Sequence, residues 1–250
     1  MSHERYQRQT ILPQIGVAGQ RRLAESRVML AGCGAIGSVV AEQLVRAGVG
    51  FLRVVDRDVV ELGNLQRQVL FDESDAAAGT PKAVAAAKRL LAINSSVTVE
   101  PRVRDIDSGN VHELAESVHL IVDGTDNAET RYLLNDFSVE QALDWVYGGC
   151  VGVEGRVMVI RPGKTPCLRC VFPSPPKPGE LPTCDTAGVL GPVAAIVGSL
   201  QAIAAIRLLL GTATEESQML VVDGWNGRLR SVSMGDRRPD CPACGRRRFE

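Results

Sequence analysis

Short apolar runs of strand length alternate along the chain with stretches whose apolar residues recur at helical intervals. Residues 28–31 and 51–55 are apolar almost throughout, the pattern of strands covered on both faces. Between them, residues 38–47 have a helical period, and residues 19–24 predict a short helix leading into the first strand. The next helix is predicted over 82–94, with Thr80 as N-cap and Pro81 in the first turn. Residues 97–101 read as a third strand, 111–117 as a helix and 118–122 as a buried fourth strand. Residues 143–147 and 156–160 read as further strands, with Gly148, Gly149, Gly152 and Gly155 marking tight backbone between them. Residues 192–210 form one long apolar segment, interrupted by Ser199, Gln201 and Arg207; it predicts a core or subunit-interface helix, not a membrane span. Residues 218–223 and 228–233 predict a strand pair, and Asn226-Gly227 between them is a turn signal. The alternation predicts an α/β, Rossmann-like fold: a largely parallel central sheet extended by antiparallel C-terminal strands.

Composition narrows the classes. The 250 residues are 45% hydrophobic, enough for a large core, and the net charge of -1 points to neither nucleic acid nor a membrane. The opening MSHERYQRQ is too polar for a signal peptide. Seven cysteines without an export signal suggest the reducing cytoplasm, where cysteine pairs read as metal or catalytic sites before disulfides.

Candidate chemistry begins at Gly32, Gly34 and Gly37, spaced G-x-G-x-x-G between the first strand and its helix. The first permits a tight turn, the second lets backbone approach a phosphate, and the third allows close helix packing; the helix N-terminus offers N–H groups to an anion. Asp56 ends the second strand, where it can accept from ribose hydroxyls, and Asp58 follows on the same loop. Asn64, Arg67 and Gln68 form a polar cluster; a short loop helix would put Asn64 and Arg67 on one face, as an ordinary surface helix also would. Lys82 in the first turn of a helix is disfavoured by the dipole, a cost removed if it faces a bound anion. The fourth strand runs into Asp123, Asp126 and Asn127, with Arg131 one turn on. Carboxylates beside a nucleotide phosphate suit Mg²⁺; capping of the following helix is the alternative for either aspartate. Residues 4–10, taken alone, read as a solvated arm.

Two C-x-x-C pairs, Cys167/Cys170 and Cys241/Cys244, point to a closed tetrahedral Zn²⁺ site that staples the C-terminal tail to the body, with redox pairs as the alternative. Four thiolates leave no open position for catalytic zinc. The proline-rich residues 171–183 lead to Cys184, open to either a reactive or a packing role, whereas Cys33 and Cys150 read as small packing residues.

The motifs occur in one order: R-Y-x-R-Q at 5–9, the glycine turn, D-x-D at Asp56 and Asp58, N-L-x-R-Q at 64–68 and P-K at Lys82. D-x-T-D-N-x-x-x-R at 123–131, the two C-x-x-C pairs and T-C-x-x-A-G-V at 183–189 complete the series. The whole chain resembles the ThiF/MoeB (HesA/MoeB/ThiF) family of adenylyltransferases, relatives of ubiquitin-activating enzymes. The resemblance implies one adenylation domain over residues 1–250, with a nucleotide-binding part to about 150 and a carrier-binding and zinc part beyond. It implies ATP and Mg²⁺ as cofactors and a homodimer. It also implies adenylation of the C-terminal Gly-Gly carboxylate of a ubiquitin-like sulfur carrier, ThiS- or MoaD-like, for thiamine, molybdopterin or related thio-cofactor synthesis.

By position, Asp56 would hold the ribose, Asn64, Arg67 and Lys82 the phosphates, and Asp126 the Mg²⁺. Asp58, Gln68, Asn127 and Arg131 would complete the nucleotide site. Arg8 would reach the phosphates of the neighbouring subunit, and Cys184 would take part in sulfur transfer. A carboxylate nucleophile is ionised near neutral pH, so no catalytic histidine is expected. With no rhodanese-like segment after Glu250, the expected sulfur source is a separate cysteine desulfurase or sulfurtransferase. A tRNA-modifying dehydratase of the same family and an NAD(P)-dependent oxidoreductase are the alternative readings.

Overall fold

The structure is a computed structural model that describes residues 4–177, 180, 184–213 and 217–247, with Cys184 and Asp185 described by backbone alone. Strands β1 (Arg27–Ala31), β2 (Phe51–Val55), β3 (Thr98–Arg102), β4 (Leu120–Asp123), β5 (Trp145–Val151), β6 (Glu154–Ile160), β7 (Gln218–Asp223) and β8 (Arg228–Ser233) form one sheet. Their order is β3-β2-β1-β4-β5-β6-β7-β8. The first five pair in parallel and the last three antiparallel, the mixed sheet the sequence pattern predicts. The helices are α1 (Gln7–Thr10), α2 (Gly16–Glu25), α3 (Ala35–Ala47), α4 (Glu73–Ala78), α5 (Lys82–Ile93), α6 (Val111–Leu114), α7 (Ala128–Gln141), α8 (Leu168–Val171), α9 (Cys184–Ala187) and α10 (Gly191–Leu210).

Alternation along β1 explains why the strands are apolar throughout. Val28 and Leu30 enter one core with Leu44, Leu52, Leu90 and Val197. Met29 and Ala31 enter the other, with Leu134, Trp145, Met158 and the four paired cysteines. The crossovers leave β1 toward β2 and reach β4 on the other side, so a ligand crevice opens beyond the carboxyl ends of β1 and β4.

α10 is long and apolar enough to cross a membrane by composition alone. In this fold its Val193, Val197 and Ala202 are buried, and its glycine Gly198 lies so close to α3 that a Cβ would sit 2.9 Å from Ile36 O. Ile196 and Ile203 on the same helix stay 45% and 56% exposed.

Four expectations need correction. α5 begins at Lys82 with Pro81 in the cap position, so Thr80 lies outside the helix. The Thr80 carbonyl accepts from Val60 N instead, because the loop after β2 zips against this segment. The helix expected over 111–117 is the single turn α6, capped at Ala115 and followed by a turn that ends at Ser117 in the left-handed region, φ 59°. The strands expected over 143–147 and 156–160 are β5 (Trp145–Val151) and β6 (Glu154–Ile160), so of the four glycines that mark tight backbone here only Gly152 sits in the turn, at φ 60°. Gly148 is needed for space, since a Cβ there would lie 2.4 Å from the Gln201 side-chain amide. Residues 4–10 are not a solvated arm, for Tyr6 is buried.

Candidate nucleotide site and cysteine knuckle

The glycine turn joins β1 to α3 at the crevice. A Cβ on Gly37 would lie 2.1 Å from Gly32 O, so the third glycine is required for α3 to pack on the turn. A Cβ on Gly34 would meet only Gln68 Nε2, at 3.8 Å. The backbone is therefore open on the side from which a phosphate would approach. Asp56 faces this turn and is 9% exposed. Its Oδ2 accepts from Cys33 N at 2.7 Å and its Oδ1 from Asp58 N at 2.8 Å. Burial pushes its carboxyl above the ordinary range, more than the two N–H groups and Lys82 lower it. Each oxygen retains a lone pair for a ribose hydroxyl.

Lys82 Nζ lies 2.9 Å from Asp58 Oδ2, and Lys82 N donates to Asp58 O at 2.8 Å. The loop after β2 thus delivers both residues to one point. Arg57 beside them pairs with Asp105 at 2.6 Å.

The N-L-x-R-Q segment forms a 3₁₀ turn, Leu62–Asn64, and its continuation. Asn64 is buried and its Oδ1 accepts from Glu61 N, so it shapes the turn. The Arg67 Nη1 donates to Gly63 O at 2.8 Å, leaving the rest of its guanidinium at the half-exposed rim. Gln68 is 4% exposed, yet its buried Oε1 has no hydrogen-bond partner. An orphan acceptor beside a glycine turn is what a donor on a bound ligand would satisfy.

Beyond β4 the two aspartates separate in role. Asp123 is fully buried; its Oδ1 accepts from Thr125 N and Oγ1, at 2.9 and 2.6 Å, and its Oδ2 lies 3.3 Å from Arg131 Nε. Burial raises its carboxyl, with the Arg131 guanidinium opposing. Asp126 is exposed and makes no hydrogen bond or ion pair with any other described residue. Neither aspartate caps α7: Asn127 does, accepting from Thr130 N at 2.7 Å. Arg131 braces the edge, donating through Nη2 to Thr125 O at 2.5 Å and Gly148 O at 3.1 Å. Asn127 and Arg131 therefore have structural partners inside the chain.

The N-terminal motif is explained by its anchors. Arg5 Nη1 donates to Ile93 O at the end of α5, and Asn94 Nδ2 donates to the Tyr6 hydroxyl at 2.8 Å. Gln9 Nε2 donates to Ala47 O and to Gln20 Oε1. Arg8, between them, is exposed and has no hydrogen bond or ion pair among the described residues.

Cys167, Cys170, Cys241 and Cys244 are buried, with their four Sγ atoms within 4.8 Å of one another. The separations are 3.6 Å for Cys167–Cys241, 3.9 Å for Cys167–Cys170 and 3.3 Å for Cys170–Cys244. A zinc ion bonded to four thiolates at about 2.3 Å holds them roughly 3.8 Å apart, so the cluster fits that ion. The Arg238 N–H approaches Cys170 Sγ at 3.5 Å, the kind of donor a thiolate accepts. The side chain of Cys184, and Thr183 before it, lie outside the described residues.

Sequence reasoning passed over one residue that braces this edge. Gln201 on α10 is fully buried and donates to Asp123 O at 2.8 Å and Val146 O at 3.1 Å, tying the carboxyl end of β4 to the start of β5. One amide in an apolar helix was its only signal.

Residues 6–243 match the ThiF family, and the chain belongs to it. It is 42% identical over 248 residues to the sulfur carrier protein ThiS adenylyltransferase of Bacillus subtilis, covering 98% of this chain and 72% of that protein. It is also 42% identical to the sulfur carrier protein adenylyltransferase of Thermus thermophilus, over 97% of this chain and 90% of that one. Among solved structures, E. coli MccB with MccA-N7isoASN superposes with a TM-score of 0.84, covering 96% of this chain and 75% of MccB at 24% identity, a likeness of fold.

Proposed function

We propose that this member of the ThiF family transfers the adenylyl group of ATP to the C-terminal carboxylate of a ubiquitin-like sulfur carrier. The acyl-adenylate and pyrophosphate are the products. The observation that carries this reading is the gathering, at one crevice, of an open glycine turn, a carboxylate at ribose position, cations and an unpartnered carboxylate. The relatives named as sulfur carrier adenylyltransferases supply the substrate class.

In this reading the turn at Gly32, Gly34 and Gly37 cradles phosphate, Asp56 accepts from the ribose, and Gln68 Oε1 takes a donor from the nucleotide. The carrier carboxylate attacks the α-phosphorus; the P–O bond to the β-phosphate breaks, and pyrophosphate leaves with the electron pair. Lys82 and Arg67 supply fixed positive charge where the phosphate oxygens gain negative charge. Asp126 is the hard oxygen donor that would hold Mg²⁺, which neutralises phosphate charge when bound. Asn127 and Arg131 hold the edge that presents Asp126, and Asp58 holds Lys82.

We further read the working unit as a homodimer. Three residues of the R-Y-x-R-Q motif fasten the arm to its own body, while Arg8 has no partner there. That is the arrangement expected of a cation serving the neighbouring site. The apolar residues Ile196 and Ile203 on α10 suit a subunit contact. The knuckle would hold Zn²⁺ as a staple. Sulfur delivery, with Cys184 as participant, and the identity of the donor protein belong to the same proposal.

ATP–pyrophosphate exchange tests it. Exchange appearing only with a carrier ending in Gly-Gly supports the reading and names the carrier. No exchange with any such carrier, in protein shown to dimerise and hold zinc, overturns it.

A further inference from the structure

The two halves of the cysteine cluster are held differently. Cys167 and Cys170 belong to the single turn α8, where Cys167 takes the N-cap position but its side chain makes no capping bond. The first N–H of that turn, Leu168 N, donates instead to Asn135 Oδ1 on α7, at 2.7 Å. Asn135 is fully buried, and its Nδ2 donates to Asp136 Oδ1 at 2.9 Å. Asp136, also buried, accepts from Arg169 Nε at 2.8 Å and from Arg169 Nη2 at 2.7 Å, one bond to each carboxylate oxygen. The Arg169 guanidinium also stacks over the Tyr132 ring, at 4.9 Å. Two neighbouring side chains of α7 therefore grip both residues between the cysteines, Leu168 by its backbone and Arg169 by its side chain.

Around Cys241 and Cys244 the turn is closed by the tail's own backbone. Gly245 N and Arg246 N donate to Cys241 O, at 3.1 and 2.7 Å, and Arg247 N donates to Ala243 O at 3.0 Å.

The spacing of two ligands in a C-x-x-C turn is set by the backbone of the two residues between them. Groups that fix those residues fix the ligand spacing, here 3.9 Å between Cys167 Sγ and Cys170 Sγ. A turn held in ligand geometry loses less conformational freedom when a metal binds, which tightens binding.

We propose that Asn135 and Asp136 are positioning residues of the metal site. They hold the Cys167/Cys170 turn in ligand geometry from the body of the fold, so that the metal and the tail cysteines close onto a half-site already built. This rests on the Zn²⁺ reading above.

The test is the zinc dissociation constant of the full chain, measured by competition with a chromogenic chelator. Asn135→Leu keeps the size of the side chain and leaves Leu168 N without its acceptor. Arg169→Lys keeps the charge but cannot bridge both Asp136 oxygens. Each is expected to raise the dissociation constant by about 10–100-fold, the range for residues that orient metal ligands. Linkage makes this readout selective. A purely structural residue lowers the stability of metal-free and loaded protein alike and leaves the constant where it was. Arg169 is partly exposed, so its variant gives an answer even where Asn135→Leu fails to fold. Wild-type constants in the folded variants overturn the proposal. A constant that moves in one variant alone overturns the half carried by the other. Wild-type protein that binds no zinc removes the metal reading, and the positioning role with it, whereas bound zinc with unmoved constants overturns the positioning role alone.

Discussion

Lys82 and Asp58 form an ion pair at 2.9 Å in which the lysine side chain is 8% exposed and the carboxylate 55% exposed. The cation is held from its solvent side by a group that an incoming phosphate can supplement. Lys82→Met is expected to lower the pyrophosphate-exchange rate by about 10²–10³, on the scale of losing one preorganised charge donor. Asp58→Asn leaves the cation present but less held, so its loss is expected to be smaller. Equal losses in the two variants would remove the distinction between charge and holder.

Asp126 is exposed and unpaired among the described residues, so its removal disturbs no structural bond. Asp126→Ala is expected to abolish adenylation with the thermal midpoint within a degree or so of wild type, as for surface substitutions generally. Calorimetry and exchange on the same preparation check both halves. Normal activity in the folded variant would sink its assignment as the Mg²⁺ ligand.

Arg8 should act across the subunit boundary. Arg8→Ala and Asp126→Ala are each expected to be inactive alone. Dimers formed by unfolding and refolding an equal mixture contain, in the mixed species, one site with both groups intact. Random pairing should then restore about a quarter of wild-type activity, by the symmetry of a two-fold dimer. No recovery in mixtures shown to exchange subunits would confine Arg8 to its own chain.

The cysteine knuckle joins residues some seventy positions apart, and Arg237 Nη2 donates to Cys244 O within it. Chelation, or Cys241→Ser, is expected to release about one zinc per chain, expose the remaining thiols to a thiol reagent and lower the melting temperature. Metal analysis with thiol titration checks it. A chain that binds no zinc as purified, yet protects all four thiols, would point to the redox alternative.

Asp56 makes a prediction with a sign. Burial holds its folded-state carboxyl above the unfolded value. Its contribution therefore favours folding below the ordinary carboxylate range and is lost as pH rises through the raised folded value. Asp56→Asn cannot titrate and lacks this contribution. The stability of wild type minus variant, from urea midpoints, should fall with rising pH across that window and then level off. A difference constant with pH would contradict it.

Much of this architecture was legible in the chain itself, because local physics writes it there. Largely apolar runs mark strands buried on both faces, and β2 falls at the expected residues; the Asn226-Gly227 turn signal marks the pair β7 and β8, which also fall where expected. Glycine spacing announces a close helix packing, which the clash of a Gly37 Cβ with Gly32 O makes concrete. Two C-x-x-C pairs announce a four-sulfur cluster because the ligands must come in tight turns. Tertiary structure alone decided how similar residues divide their work. Asp123 and Asp126 stand three apart in one motif, yet burial and Arg131 give the first to the framework and leave the second exposed. Lys82 finds Asp58, and Tyr132 finds the carbonyls of Phe172 and Ser174, across separations that no local periodicity records. Such pairings depend on which segments the sheet order brings together, and that is a property of the packed whole.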